Sequence, residues 1–203
     1  KTISYFIDTN LSNPFTVYVM NTDHPDIDQI SIRLAVFDLD FTIWKPEMYE
    51  IDGPPKRKSN GKGGTATVTV TDRQDTEITI FEGANYALTH INSLRENKNI
   101  DIEAAVASRT DEPEWAQTCM DWLIVDDGKS LTSCFAFVEL GFSDKKEHFK
   151  RLREKTGIPY SAMVFFDNEM RNIASVQELG VKCIYTPDGM TRGAWHEALK
   201  AFA

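Results

Sequence analysis

The stretch "LAVFDLDFTIWKPE", Leu34 to Glu47, opens with four apolar residues and then sets two carboxylates two positions apart. Such a run predicts a strand buried in the interior of a sheet, with Asp38 and Asp40 at its end. On an extended strand residues i and i+2 point the same way, so the two carboxylates are expected to converge on one small volume with the intervening carbonyl close by. Two like charges held together call for a cation or a shared proton. The plainer alternative is a solvated strand edge in which the aspartates form turns or helix caps.

Outward from this stretch, short apolar runs alternate with amphipathic segments. Five strand candidates, "LAVFDLD", "DIEAAVAS", "CFAFVEL", "SAMVFFDN" and "VKCIYTP", are separated by helical patterns such as "GANYALTHINSLRENK" and "SDKKEHFKRLREKTG". That order predicts an α/β fold: a Rossmann-like, doubly wound parallel sheet with helices on both faces. Ser143 or Asp144 is expected to cap the helix that Gly157 and Pro159 stop, and Asp111 to cap the one starting at Glu112 and Pro113. In such a sheet ligands bind beyond the carboxyl ends of the strands, where Asp38 and Asp40 fall.

The region 44–81 reads as an insertion. Residues 52–64, "DGPPKRKSNGKGG", are expected to form a mobile loop. The alternation in "TATVTVTDRQDTEITIF" around Asp72 to Asp75 predicts a β-hairpin overhanging the crevice as a small flap, with no large cap domain. Residues 1–31 are expected to form an arm packed on a main domain of residues 32–203.

Composition limits the partners. With 203 residues and 41% hydrophobic content the chain can bury one substantial core. A net charge of -9 and a pI near 4.9 argue against nucleic-acid or anionic-membrane surfaces, which need a basic footprint. Three scattered cysteines, Cys119, Cys134 and Cys183, suggest neither a disulfide framework nor a zinc site, and fit a reducing, cytoplasmic setting. The chain begins with Lys1 rather than Met, which leaves room for an upstream or targeting segment. Oligomeric state is not legible.

Other strand ends carry related chemistry. "AAVASRT" finishes in Ser108, Arg109 and Thr110, "MVFFDNE" in Asp167, Asn168 and Glu169, and Lys145 and Lys146 open a helix between them. Singly, Ser108 and Asp167 could be caps and the lysines a solvated face. Phe41 and Trp44 could face the flap or fill the core.

Taken in order, these motifs resemble the haloacid dehalogenase (HAD) superfamily, and within it the magnesium-dependent phosphatase-1 family. The resemblance runs over about residues 33–202 and is carried by "FDLDFTIW", "ASRT", "HFKRLREKTGIPYSAMVFFDNEMRNI" and "LGVKCIYTPDGM". It implies a HAD-like core and hydrolysis of phosphomonoesters, phosphotyrosine-like or sugar phosphates, carried by small molecules or by proteins. It further implies Asp38 as nucleophile forming an aspartyl-phosphate, Asp40 as general acid and base, and Mg²⁺ held by Asp38, the Asp40 carbonyl and Asp167. Ser108, Arg109 and Lys145 would contact phosphate; Thr42 would fix the aspartate loop. The family usually has a second aspartate where this chain has Asn168, which predicts weaker Mg²⁺ binding unless Glu169 compensates. A weakly active or inactive binding protein of the same fold, or another HAD hydrolase or phosphotransferase, is the alternative.

Overall fold

The computed structural model describes residues 31–60, 67–97 and 100–203. Strand β1 (Leu34–Phe37) is buried at every position because it lies between two parallel neighbours, β6 (Glu103–Ser108) and β8 (Met163–Asp167). Beyond them lie β7 (Phe137–Leu140) and β9 (Lys182–Tyr185), so the parallel sheet runs β7-β6-β1-β8-β9. Alternate residues of β1 enter different cores: Ala35 and Phe37 pack with α1 (Glu82–Asn97), α2 (Pro113–Trp122) and α6 (Arg192–Ala201). Leu34 and Val36 pack with α4 (Lys145–Thr156) and α5 (Met170–Gln177). Full burial of a Leu, Val or Phe side chain is worth about 1.5–3 kcal/mol, so β1 is fixed from both sides. The sheet is therefore doubly wound, and β1 and β8 deliver Asp38 and Asp167 to the same edge.

Local signals set most boundaries. Asp144 accepts a hydrogen bond from the Glu147 N–H at 2.9 Å and starts α4. Gly157 ends it with φ +69°, a conformation that costs glycine little. Asp111 does not cap α2. The cap position is Glu112, whose N–H is taken by the Thr110 hydroxyl at 3.0 Å, leaving Asp111 free to face the crevice described below. A short helix, α3 (Leu131–Cys134), capped by Ser130, was not signalled by any periodicity because it is only four residues long.

The insertion holds a second sheet. β2 (Trp44–Lys45), β3 (Lys56–Asn60), β4 (Thr67–Thr71) and β5 (Glu77–Ile80) pair antiparallel in the order β2-β5-β4-β3. The β4–β5 turn is held by Asp72, which accepts from the backbone N–H groups of Gln74 (2.9 Å), Thr76 (2.8 Å) and Asp52 (2.9 Å). The expectation of a loop over 52–64 is corrected here. Lys56 to Asn60 form an edge strand despite their charge, because an edge needs one ladder partner only, and Lys56 and Lys58 both reach Asp75, at 3.2 and 2.8 Å. Residues 61–64 of that loop, and the arm expected over residues 1–30, lie outside the described residues. No helix among the described residues is long and apolar enough to cross a membrane.

Candidate active site

Once β1 ends, the chain cannot stay extended, because Phe41 adopts φ +51° and the Leu39 carbonyl gathers the N–H groups of Thr42 (3.1 Å), Ile43 (2.7 Å) and Trp44 (3.3 Å). This tight loop presents Asp38 and Asp40 to a crevice of about 220 Å³. Arg109, Thr110 and Asp111 after β6, Phe142 after β7, Lys145 on α4, and Asn168 and Glu169 after β8 complete much of its wall. The insertion contributes Glu47 and Tyr49.

The floor is a buried ion cluster. Lys145 Nζ donates to Asp38 Oδ1 at 2.5 Å and to the Ala107 carbonyl at 2.6 Å, and stands 3.1 Å from Asp167 Oδ2. The side chains of Lys145 and Asp167 are 1% and 0% exposed. Lysine at such burial is stable only when its charge is answered, and here two strand ends answer it. Lys146, one residue on, points instead to Glu178 at the surface.

Asp167 is held from behind. Its Oδ1 accepts from the Glu169 N–H at 2.7 Å, and Asn172 Nδ2 reaches Oδ1 and Oδ2 at 3.2 and 3.0 Å. Burial and then the charge of Asp38 push its pKa up to about 6, against the pull of Lys145 and these donors. Asp40 is pushed up to about 7, chiefly by burial and further by Asp38, although donors from Met48 and Trp44 pull the other way. A carboxyl so poised holds a proton near neutral pH.

Two carboxylates sharing one ammonium are also placed to share one divalent cation. Among the described residues no three His, Cys, Asp or Glu side chains gather into a ready-made cage. Mg²⁺ takes one or two carboxylates and completes its octahedron with waters and substrate oxygens. Hard oxygen donors at Asp38 and Asp167 fit that ion.

Not every expected residue falls where the sequence suggested. Asp38, Asp40, Arg109, Lys145 and Asn168 line the crevice, and Asp167 lies buried beneath it. Ser108 closes β6 but is 1% exposed, and the wall is formed by the three residues after it. Thr42 fixes the aspartate loop, though not with its buried hydroxyl, which has no hydrogen-bond partner among the described residues. Its backbone does the fixing, by donating to Leu39 and accepting from the Met190 N–H at 3.1 Å. Glu169 is engaged with Arg171, at 2.8 Å through Nε, and with Asn172 at 2.9 Å, so it is not free to make up for Asn168. Sequence reading missed Asn172, Glu47, Tyr49 and Phe142. Asn172 alone had a signal, its place in the first turn of the helix that follows the strand end carrying Asp167.

Known proteins are similar to this chain in sequence and in fold. The chain is 36% identical over 171 residues to human magnesium-dependent phosphatase 1, covering 84% of this chain and 87% of that protein. It is 34% identical over 153 residues to a HAD-like hydrolase superfamily protein of Schizosaccharomyces pombe, covering 73% and 82% of the two chains. In fold it is similar to a haloacid dehalogenase-like family hydrolase from Xanthomonas campestris, with a TM-score of 0.55 at 14% identity over 86% of this chain and 93% of that one. Residues 31–203 match the family model described as Acid Phosphatase. Since that match takes in both sides of the crevice, from Asp38 to Asp167, the chain belongs to the acid phosphatase family.

Proposed function

We propose that this chain is a magnesium-dependent phosphomonoester hydrolase working through an aspartyl-phosphate on Asp38. The observation that carries the reading is the buried Lys145 bridging Asp38 and Asp167 at the floor of an open crevice, since it builds a cationic seat beside a carboxylate nucleophile. The likeness to human magnesium-dependent phosphatase 1 supports a magnesium-dependent phosphatase.

In this reading Asp38 attacks phosphorus in line while Asp40 gives its proton to the departing oxygen; Asp40 then takes a proton from the water that cleaves the aspartyl-phosphate. Asp38 is so restored and inorganic phosphate is freed. Lys145 and Arg109, which line the crevice, hold phosphoryl oxygens whose charge grows in the transition state. Asp38, Asp167 and the Asp40 carbonyl would hold Mg²⁺, with Asn168 supporting it. Bound there, the ion supplies the positive charge that lets an anionic nucleophile approach an anionic ester.

For the substrate, the crevice rim favours a ring next to the phosphate. Tyr49 and Phe142 line it and are 71% and 74% exposed, which fits a phosphotyrosine-like or sugar phosphate better than a bare alkyl chain. Release of phosphate from p-nitrophenyl phosphate tests the reading. Turnover is expected to require Mg²⁺ and to fall at least about a thousandfold in Asp38→Asn, as loss of a covalent nucleophile should. Undiminished turnover by Asp38→Asn, or none by the native chain on any phosphomonoester with Mg²⁺ present, overturns it.

A further inference from the structure

Asp40 is gripped by two groups that can donate but not accept. Trp44 Nε1 donates to Oδ1 at 2.7 Å, and the Met48 N–H donates to Oδ2 at 3.1 Å. An indole N–H and a backbone N–H offer no lone pair, so the acid form of Asp40 cannot park its hydrogen on either contact. The hydrogen must occupy a remaining lone pair, and Asp40 lines the crevice. Trp44 itself has no freedom. It is 0% exposed, opens β2, pairs with Ile80 of β5, and its carbonyl takes the Phe41 N–H at 2.9 Å.

We propose that Trp44 is a positioning residue for Asp40: its indole N–H fixes the carboxyl rotamer so that the proton is presented to the leaving-group oxygen. This deepens the hydrolase reading and rests on it. The indole adds no charge and touches no substrate. In kcat/KM its effect is read at the step in which the bond between phosphorus and the leaving oxygen breaks, the Asp38–phosphorus bond forms, and the Asp40 proton moves to the leaving oxygen. A rotamer held by one indole matters in proportion to the leaving group's need for that proton. An alkoxide must be protonated to depart, whereas p-nitrophenolate leaves as a stable anion. Loss of the N–H is therefore expected to hurt one class of ester and spare the other.

Two variants remove the donor while keeping a ring in place: Trp44→Phe, and replacement of Trp44 by β-(3-benzothienyl)alanine, in which sulfur stands for the N–H and the bicyclic shape is kept. The second keeps the test decisive if the smaller ring unsettles the core. With Mg²⁺ present, kcat/KM is compared for p-nitrophenyl phosphate and glycerol phosphate, because that ratio reports steps up to phosphoryl transfer. About a tenfold or greater loss on glycerol phosphate is expected, with p-nitrophenyl phosphate held within about twofold. Asp40→Asn is expected to show the same imbalance, larger. Equal losses on both esters, or no loss on either, overturn the role of Trp44 and leave the hydrolase reading standing. Turnover that survives Asp38→Asn sinks that reading instead.

Discussion

Lys145→Met keeps all but the last atom of the side chain's length and removes its charge, leaving Asp38 and Asp167 in one buried volume with nothing positive between them. The native ammonium stands 2.5 Å from one carboxylate and 3.1 Å from the other, with a carbonyl at 2.6 Å. Stripping one partner from a buried ion pair costs about 3–5 kcal/mol. For a domain of this size that corresponds to a melting temperature about 6–20 °C lower. The carboxylates can escape part of the cost by taking a proton. Asp167 already binds one up to about pH 6, against an ordinary value of 3.8, and loss of the ammonium raises that further. Because the folded form then holds more protons than the unfolded chain, its stability falls as pH rises through this window, so the deficit is smallest in acid and largest above about pH 7. Mg²⁺ replaces the missing charge and is expected to raise the melting temperature of the variant more than that of the native chain. Thermal melts in EDTA and in Mg²⁺ at pH 5 and pH 8 check this. A variant that melts within about 2 °C of the native chain in EDTA at pH 8 would refute the reasoning, because the cluster would then not be charge-balanced by Lys145.

Two other outcomes follow from neighbouring residues. Asn168→Asp is expected to lower the Mg²⁺ concentration for half-maximal activity several-fold, since Glu169 is occupied by Arg171 and Asn172; equal half-saturation would show that position 168 does not reach the ion. His148 is 0% exposed, both its ring nitrogens lack partners among the described residues, and burial, then Lys145 and Arg151, hold its pKa down at about 4. The unfolded chain binds that proton more readily, so native stability declines as pH falls from about 6.5 towards 4. His148→Phe should flatten this decline in urea unfolding curves and be no less stable at pH 7, and an unchanged pH slope would contradict that account of the ring.

What could be read before folding was whatever one segment decides for itself. The apolar runs gave the strands, the caps at Asp144 and Gly157 gave the ends of α4, and the spacing of Asp38 and Asp40 gave a pair of carboxylates at a strand end. These follow from the two-residue repeat of a strand and from the unpaired groups at helix termini, which neighbours in sequence control. The edge strand β3 escaped because its charged residues gain a place only from β4 and Asp75, and spacing alone does not tell that Thr42 closes its loop through backbone groups.

Tertiary structure alone decided who meets whom. Lys145 finds Asp38 across 107 positions of sequence because β1 and β8 are neighbours and α4 packs beneath them, a choice set by burial on both faces of the sheet. Likewise Trp44, legible only as a large apolar residue, becomes a donor to Asp40 once β2 joins the second sheet and the indole is driven from water. Pairing energies across such separations depend on which surfaces are buried together, and no single stretch of the chain contains that information.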